Sequence, residues 1–177
     1  MPAARRVFAG VSASPGSVLA LRQAADLAHH QAILIPLLTW LPPDGDIHER
    51  KHPWAELRQL WEDDAWQRLW DTLDRAFGGL PAGVTTQPVV LRGKPGTVLT
   101  GLARQPGDLL VIGAGRRGPL RQRLGCGVSR YCLAHAHCPV LAVPPPLLIQ
   151  QAGHGLRGWA FRHRRLDLDT AVTLAGD

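Results

Sequence analysis

Lysine is nearly missing from this chain: of its 20 basic residues only Lys51 and Lys94 are lysines, and the rest are arginine. Cysteine is scarce too. Cys126, Cys132 and Cys138 form no Cys-x-x-Cys pair, which argues against both a disulfide framework and a zinc ribbon and suits reduced thiols in a reducing compartment. No apolar run approaches the ~18 residues that a membrane span needs. Helix-turn-helix, zinc-finger and RNA-binding-sheet signatures are also missing, so a net charge of +6 does not make this a sequence-specific nucleic-acid binder. Met1-Pro-Ala-Ala-Arg-Arg6 leads straight into Val7-Phe-Ala-Gly-Val11 without a secretory leader, and the expectation is a cytoplasmic protein.

What is present fits one globular domain with an appendage. The chain has 177 residues, 45% of them hydrophobic and 19% charged. Pro144-Pro-Pro146 closes the domain, giving expected bounds of 1–146 for the domain and 147–177 for a carboxyl-terminal extension. The arginines gather at 116–130 and 157–165, two candidate anion sites. In the extension, Gly153, Gly155 and Gly158 interrupt a segment too short to fold alone.

Strand and helix patterns alternate through the domain. A strand is expected at 7–12, then a helix to about His30 with Ser14 as its cap and Pro15 in its first turn. A second strand at 32–40 contains Pro36, which implies an irregularity or a sheet edge. The clearest helix starts near Pro53 and carries Leu57, Trp61, Ala65, Leu69, Leu73 and Phe77 at helical spacing, with Trp66 and Trp70 widening its apolar face and Gly78-Gly79 ending it. Further strands are expected at 84–91, 108–112 and 139–143, with helices at 97–104 and 128–135. This order implies a parallel sheet covered on both faces, with ligands at the carboxyl ends of its strands.

The segment Gly113-Ala-Gly-Arg-Arg-Gly-Pro-Leu-Arg-Gln-Arg-Leu-Gly-Cys-Gly-Val-Ser129 is the most informative. It joins a buried-type strand to a helix through several glycines. Glycine lets main-chain amides approach an anion, and the helix that begins at Val128 and Ser129 favours negative charge at its amino terminus. Candidate phosphate-binding residues are Ser12, Gly113, Gly115, Gly118, Gly127, Val128 and Ser129, with Arg116 and Arg117 neutralising charge.

Four landmarks, taken in order, resemble the universal stress protein (UspA-like) family: Gly10-Val-Ser-Ala-Ser-Pro-Gly-Ser17, Thr39-Trp-Leu-Pro-Pro43, Gly93-Lys-Pro-Gly96, and Val111-Ile-Gly113 with Cys138-Pro-Val-Leu141. The resemblance covers about residues 6–144 and is to members of the kind abundant in actinobacteria. It implies a Rossmann-like α/β fold with a five-stranded parallel sheet and helices on both faces, and a homodimer formed through the last strand, Pro139-Val-Leu-Ala-Val143. The family divides into ATP-binding and non-binding members, so the implied cofactor is ATP or another adenine nucleotide. The family's ATP pattern is Gly-x2-Gly-x9-Gly-Ser/Thr. Counted from Gly113, it puts Arg116 and Cys126 where glycines belong and Gly127 at the Ser/Thr position. Counted from Gly115 and Gly118, it puts Val128 and Ser129 at the last two places. Ser12 stands where ATP-binding members usually carry an aspartate, which removes a strong acceptor.

No catalytic constellation is recognisable. His135-Ala-His137-Cys138 reads as a helix-end turn, with no metal implied. Cys126, among arginines near a helix start, is a candidate reactive thiol, and a small residue filling a tight loop is the plainer account. Three functional readings follow. The first is a regulatory stress-response protein with a nucleotide or phosphate pocket. The second is a non-nucleotide module that presents its tryptophan-bearing helix and arginine-rich tail to another protein. The third is an enzyme recruited from the same fold.

Overall fold

The computed structural model describes residues 5–12, 14–29, 32–42, 55–114 and 127–144. All belong to the unit Met1–Pro144, while the unit Pro145–Asp177 lies outside the described residues. In chain order the elements are β1 Arg5–Val11, α1 Pro15–Ala28, β2 Ala32–Trp40, α2 Ala55–Phe77, β3 Val89–Arg92, α3 Pro95–Leu102, β4 Leu109–Gly113, α4 Val128–His135 and β5 Val140–Val143. The strands form one parallel sheet in the order β3-β2-β1-β4-β5. Helices α1 and α2 cover one face, and α3 and α4 cover the other.

Alternation along the strands separates two cores. Val7, Ala9 and Val11 of β1 point to the α1/α2 side, while Phe8 points to the α3/α4 side. Helix α1 buries Ser17, Ala20, Leu21, Ala24, Ala25 and Ala28, a stripe of mostly small residues that lets its axis approach the sheet closely. Helix α2 buries Ala65, Leu69, Leu73 and Ala76, and Trp61, Trp66 and Phe77 pack partly against the same core. Gly78 and Gly79, with φ of 73° and 136°, end α2 in a conformation that glycine adopts without steric penalty. Arg22 of α1 then donates from Nε to the carbonyl of Ala76 at 3.0 Å, satisfying an end that the helix itself cannot.

Proline explains the shape of the β3 side. Strand β2 is interior, so the edge reading of Pro36 is corrected in favour of an irregularity. Toward β1 the pairing runs unbroken, with Pro36 opposite Ala9. Toward β3, Leu34 bridges Thr86, and the ladder resumes only at Leu37 opposite Val89. Pro36 and Pro88 occupy the gap. Neither has an N–H to donate, and the strand expected at 84–91 is therefore shortened to Val89–Arg92.

Other boundaries shift by a few residues. β1 is Arg5–Val11 rather than 7–12, α1 stops at Ala28, and β4 and β5 each start one residue later than expected. α3 is Pro95–Leu102 rather than 97–104, because Pro95 suits a first helical turn and Ala103 leaves helical geometry at ψ 76°. Pro53 and Trp54 lie outside the described residues.

At the amino-terminal end of the sheet, Asp108 is buried and held by Arg6. The guanidinium donates from Nε to Oδ1 at 2.9 Å and from Nη2 to Oδ2 at 2.7 Å, and the Gln105 amide adds 2.8 Å to Oδ2. Burial pushes this carboxyl up, but the Arg6 and amide hydrogen bonds outweigh it and hold Asp108 below the ordinary carboxylate range. Arg6 also lies 5.1 Å from the centre of the Phe8 ring.

Candidate functional site

Strand order reverses between β1 and β4, and in an open parallel sheet a crevice opens at the carboxyl ends of the two strands that flank such a reversal. Here those ends are Val11-Ser12 and Gly113-Ala114. Two helices start beside them. α1 follows β1, and its first turn presses on β4: a Cβ on Gly113 would lie 3.0 Å from both the carbonyl carbon and the oxygen of Gly16. Those atoms are main chain and have no rotamer to change, so a side chain at 113 would push the first turn of α1 off β4 by a few tenths of an ångström.

α4 is fastened to the same residue. Ser129 donates from Oγ to the Gly113 carbonyl at 2.8 Å. Its first helical bond runs from Tyr131 N to Gly127 O at 3.0 Å, so the amides of Val128, Ser129 and Arg130 have no partner within the helix. Gly127 occupies the N-cap and supplies no side-chain cap. The result is a set of amides and a helix dipole at the mouth of the crevice, an arrangement that attracts an anion.

The serines on the β1 side bond to one another, Ser17 from the interior and Ser12 and Ser14 at the surface. Ser17 is buried and accepts the Ser12 amide on Oγ at 2.8 Å, while the Ser12 and Ser14 hydroxyls share a hydrogen bond of 2.9 Å. Ser14 occupies the N-cap of α1 as expected, but its side chain makes no cap hydrogen bond because it is engaged with Ser12.

Of the residues singled out in the sequence, Ser12, Gly113, Gly127, Val128 and Ser129 stand at these strand ends and helix starts. Gly115, Arg116, Arg117, Gly118 and Cys126 lie outside the described residues. Sequence reasoning missed the parts played by Gly16 and Ser17. Ser14-Pro-Gly-Ser17 reads as a helix cap, and the signal that could have revealed more is a small residue in the first turn of a helix that must cross a strand end.

At the β2 end, Trp40 is buried, with its ring 6.3 Å from Trp61 and the Arg92 guanidinium 5.8 Å above it. Burial, with a smaller contribution from Cys138, pushes the Cys132 thiol up to about 11, and Cys138 is also raised, first by burial and then by Asp108. His135 places Nδ1 2.9 Å from the Tyr131 carbonyl, and its ring stacks on Tyr131 at 4.2 Å. Among the described residues no group of three or more His, Cys, Asp or Glu could hold a metal ion, and no helix is long and apolar enough to cross a membrane.

Sheet order and helix starts define a doubly wound α/β protein. Residues 3–144 match the universal stress protein family, and the chain belongs to that family. No curated protein matches the chain. Among solved structures it is similar to the hypothetical protein MJ0577, with a TM-score of 0.62 at 16% identity over 81% of this chain and 97% of that one. It is also similar to the universal stress protein UspA from Lactobacillus plantarum, at 0.57 and 18% over 79% and 97%. A universal stress protein solved in complex with cAMP gives 0.53 and 21% over 80% and 98%. These likenesses describe a shared fold.

Proposed function

We propose that the chain is a regulatory protein that binds an adenine nucleotide, ATP or a relative of it, in the crevice between β1 and β4. The observation that carries this reading is the junction at Gly113, where the first turn of α1 packs and the first turn of α4 is fastened by Ser129, with the α4 amides beside it. A phosphate there would meet amides and a helix dipole without any metal. The similar protein solved with cAMP lends support to an adenine ligand. Gly115, Arg116, Arg117 and Gly118 follow Gly113 directly in sequence and complete the proposed phosphate-binding set, with the two arginines as its cations.

The test is to extract the purified protein for copurifying nucleotide and then titrate it calorimetrically with ATP, ADP, AMP and cAMP, with and without Mg²⁺. Copurified nucleotide or saturable heat is expected; neither appearing would end this reading. A second reading, a non-nucleotide interaction module, is favoured by the hydroxyls of Ser12 and Ser129, which are spent on protein partners. We also propose a homodimer through β5, whose outer edge is unpaired among the described residues and whose Leu141 is exposed.

A further inference from the structure

Helices α3 and α4 both start at the carboxyl ends of parallel strands, so their first turns lie on the same side of the molecule. They touch there. A Cβ on Gly96 would fall 2.5 Å from Cδ1 and 2.8 Å from Cγ of Tyr131, and only a residue without a side chain admits the ring at that distance. Tyr131 is one turn into α4, and its amide reaches back to Gly127. Lys94 stands two residues before Gly96, and Ser129 stands two residues before Tyr131. Both precede the contact in their helices and so lie beyond it toward the strand ends. Lys94 therefore lies on the same side of the contact as the first amides of α4, which have no partner within the helix.

The chemistry around Lys94 is one-sided. It is the N-cap residue of α3, it is exposed, and its side chain makes no hydrogen bond or salt bridge among the described residues, its carbonyl alone accepting the Val98 amide. Neither α3 nor α4 has an acidic residue in its first turn. Asp108, the next carboxylate along the chain, is committed to Arg6 at the opposite end of the sheet. A lysine stem reaches on the order of 6 Å, enough to carry its head group over the first turn of a neighbouring helix.

We propose that Lys94 is a ligand-binding residue of the crevice and pairs with the anionic group received by the α4 amides. The proposal rests on the reading of that crevice as a phosphate site. It adds a cation from a third helix start, one that the glycine-rich segment does not contain.

The scarcity of lysine makes the test clean. Pyridoxal phosphate, an anionic aldehyde, is reacted with the folded full-length chain, the imine is reduced with borohydride, and the label is located by mass spectrometry. Lys51 is the only other lysine and serves as the internal reference. Lys94 is expected to be labelled several-fold faster than Lys51 and to be protected by ATP and, at higher concentration, by inorganic phosphate. In parallel, Lys94→Ala is expected to weaken ATP binding roughly tenfold and Lys94→Arg to restore most of it, with unchanged thermal melting. If Lys94 is labelled no faster than Lys51 and neither ATP nor phosphate protects it, the proposal is overturned whatever ATP does. Undiminished ATP affinity in Lys94→Ala overturns it as well. Protection by phosphate in a chain that binds no nucleotide removes the nucleotide reading and leaves the lysine in place.

Discussion

The two faces of the sheet are built to different standards. Among the described residues the α1/α2 face holds 18 buried apolar residues, eight of them alanine, under helices of 14 and 23 residues. The α3/α4 face holds eight, under helices of eight residues each. Exposed apolar residues occur on both sides, Leu27, Leu60 and Trp70 on α1 and α2 and Leu102, Val128, Tyr131 and Leu133 on the much shorter α3 and α4. The first face resembles an ordinary interior. The second has helices just long enough to place their first turns at the strand ends, and it leaves apolar surface beside the β5 edge. The contrast teaches that most of the buried core, and with it most of the stability, lies on one side of the sheet.

The largest expected effect comes from breaking the stronger face. Leu69→Ala, at a fully buried position among alanines that cannot expand to fill the gap, is expected to cost about 3 to 4 kcal/mol in denaturant unfolding. Leu99→Ala on the other face is expected to cost about 2 to 3 kcal/mol, because its half-exposed surroundings can settle into the space. Equal losses would erase the distinction between the faces.

Asp108→Asn comes next, at about 2 to 3 kcal/mol, since it leaves the Arg6 guanidinium without its carboxylate. The carboxyl titrates lower in the folded chain than in the unfolded one. Its contribution is thus complete above the unfolded value near ~4 and is lost as pH falls through the folded value. Unfolding curves below pH 5 should be steeper for the parent chain than for Asp108→Asn.

The surface of the weaker side is tested by mass in solution. Sedimentation is expected to show a dimer, and Leu141→Asp on the β5 edge is expected to give a monomer with an unchanged circular dichroism spectrum. A parent chain that already sediments as a monomer would leave the exposed apolar residues of α3, α4 and β5 unexplained by self-association.

The smallest effect concerns Cys132, which is fully buried on the inner face of α4. With the thiol raised to about 11, its contribution to stability is whole below the unfolded value near ~8.5 and fades as pH climbs through 11. At neutral pH a thiol reagent should modify Cys132 only as fast as the chain unfolds. Rapid modification in the native state would show that the α3/α4 face opens on its own.

The alternation of apolar runs with glycine and proline made the five strands and the large α2 helix legible, because each signal there is local. Trp61, Ala65, Leu69 and Leu73 repeat at helical spacing, and Gly78-Gly79 stops them. The break opposite Pro36 was not legible, since it depends on which strand lies beside it and on Pro88 being brought alongside. The same limit applies to the site. Ser129 and Gly113 could be chosen from the glycine-rich segment, but Gly16 joins them only through the packing of α1 on β4, and Lys94 nears them only through Gly96 and Tyr131. Contacts between distant segments are set by topology, which periodicity does not encode.

The contact between Gly16 and Gly113 makes part of the crevice floor out of main chain. Such a floor keeps its contour whatever side chains surround it. If the proposed nucleotide site lies there, exchanges of side chain at positions such as 12 would alter what it prefers without moving the place where it binds. Affinity and address would then be separable, the first set by side chains and the second anchored in the backbone contact of Gly16 and Gly113.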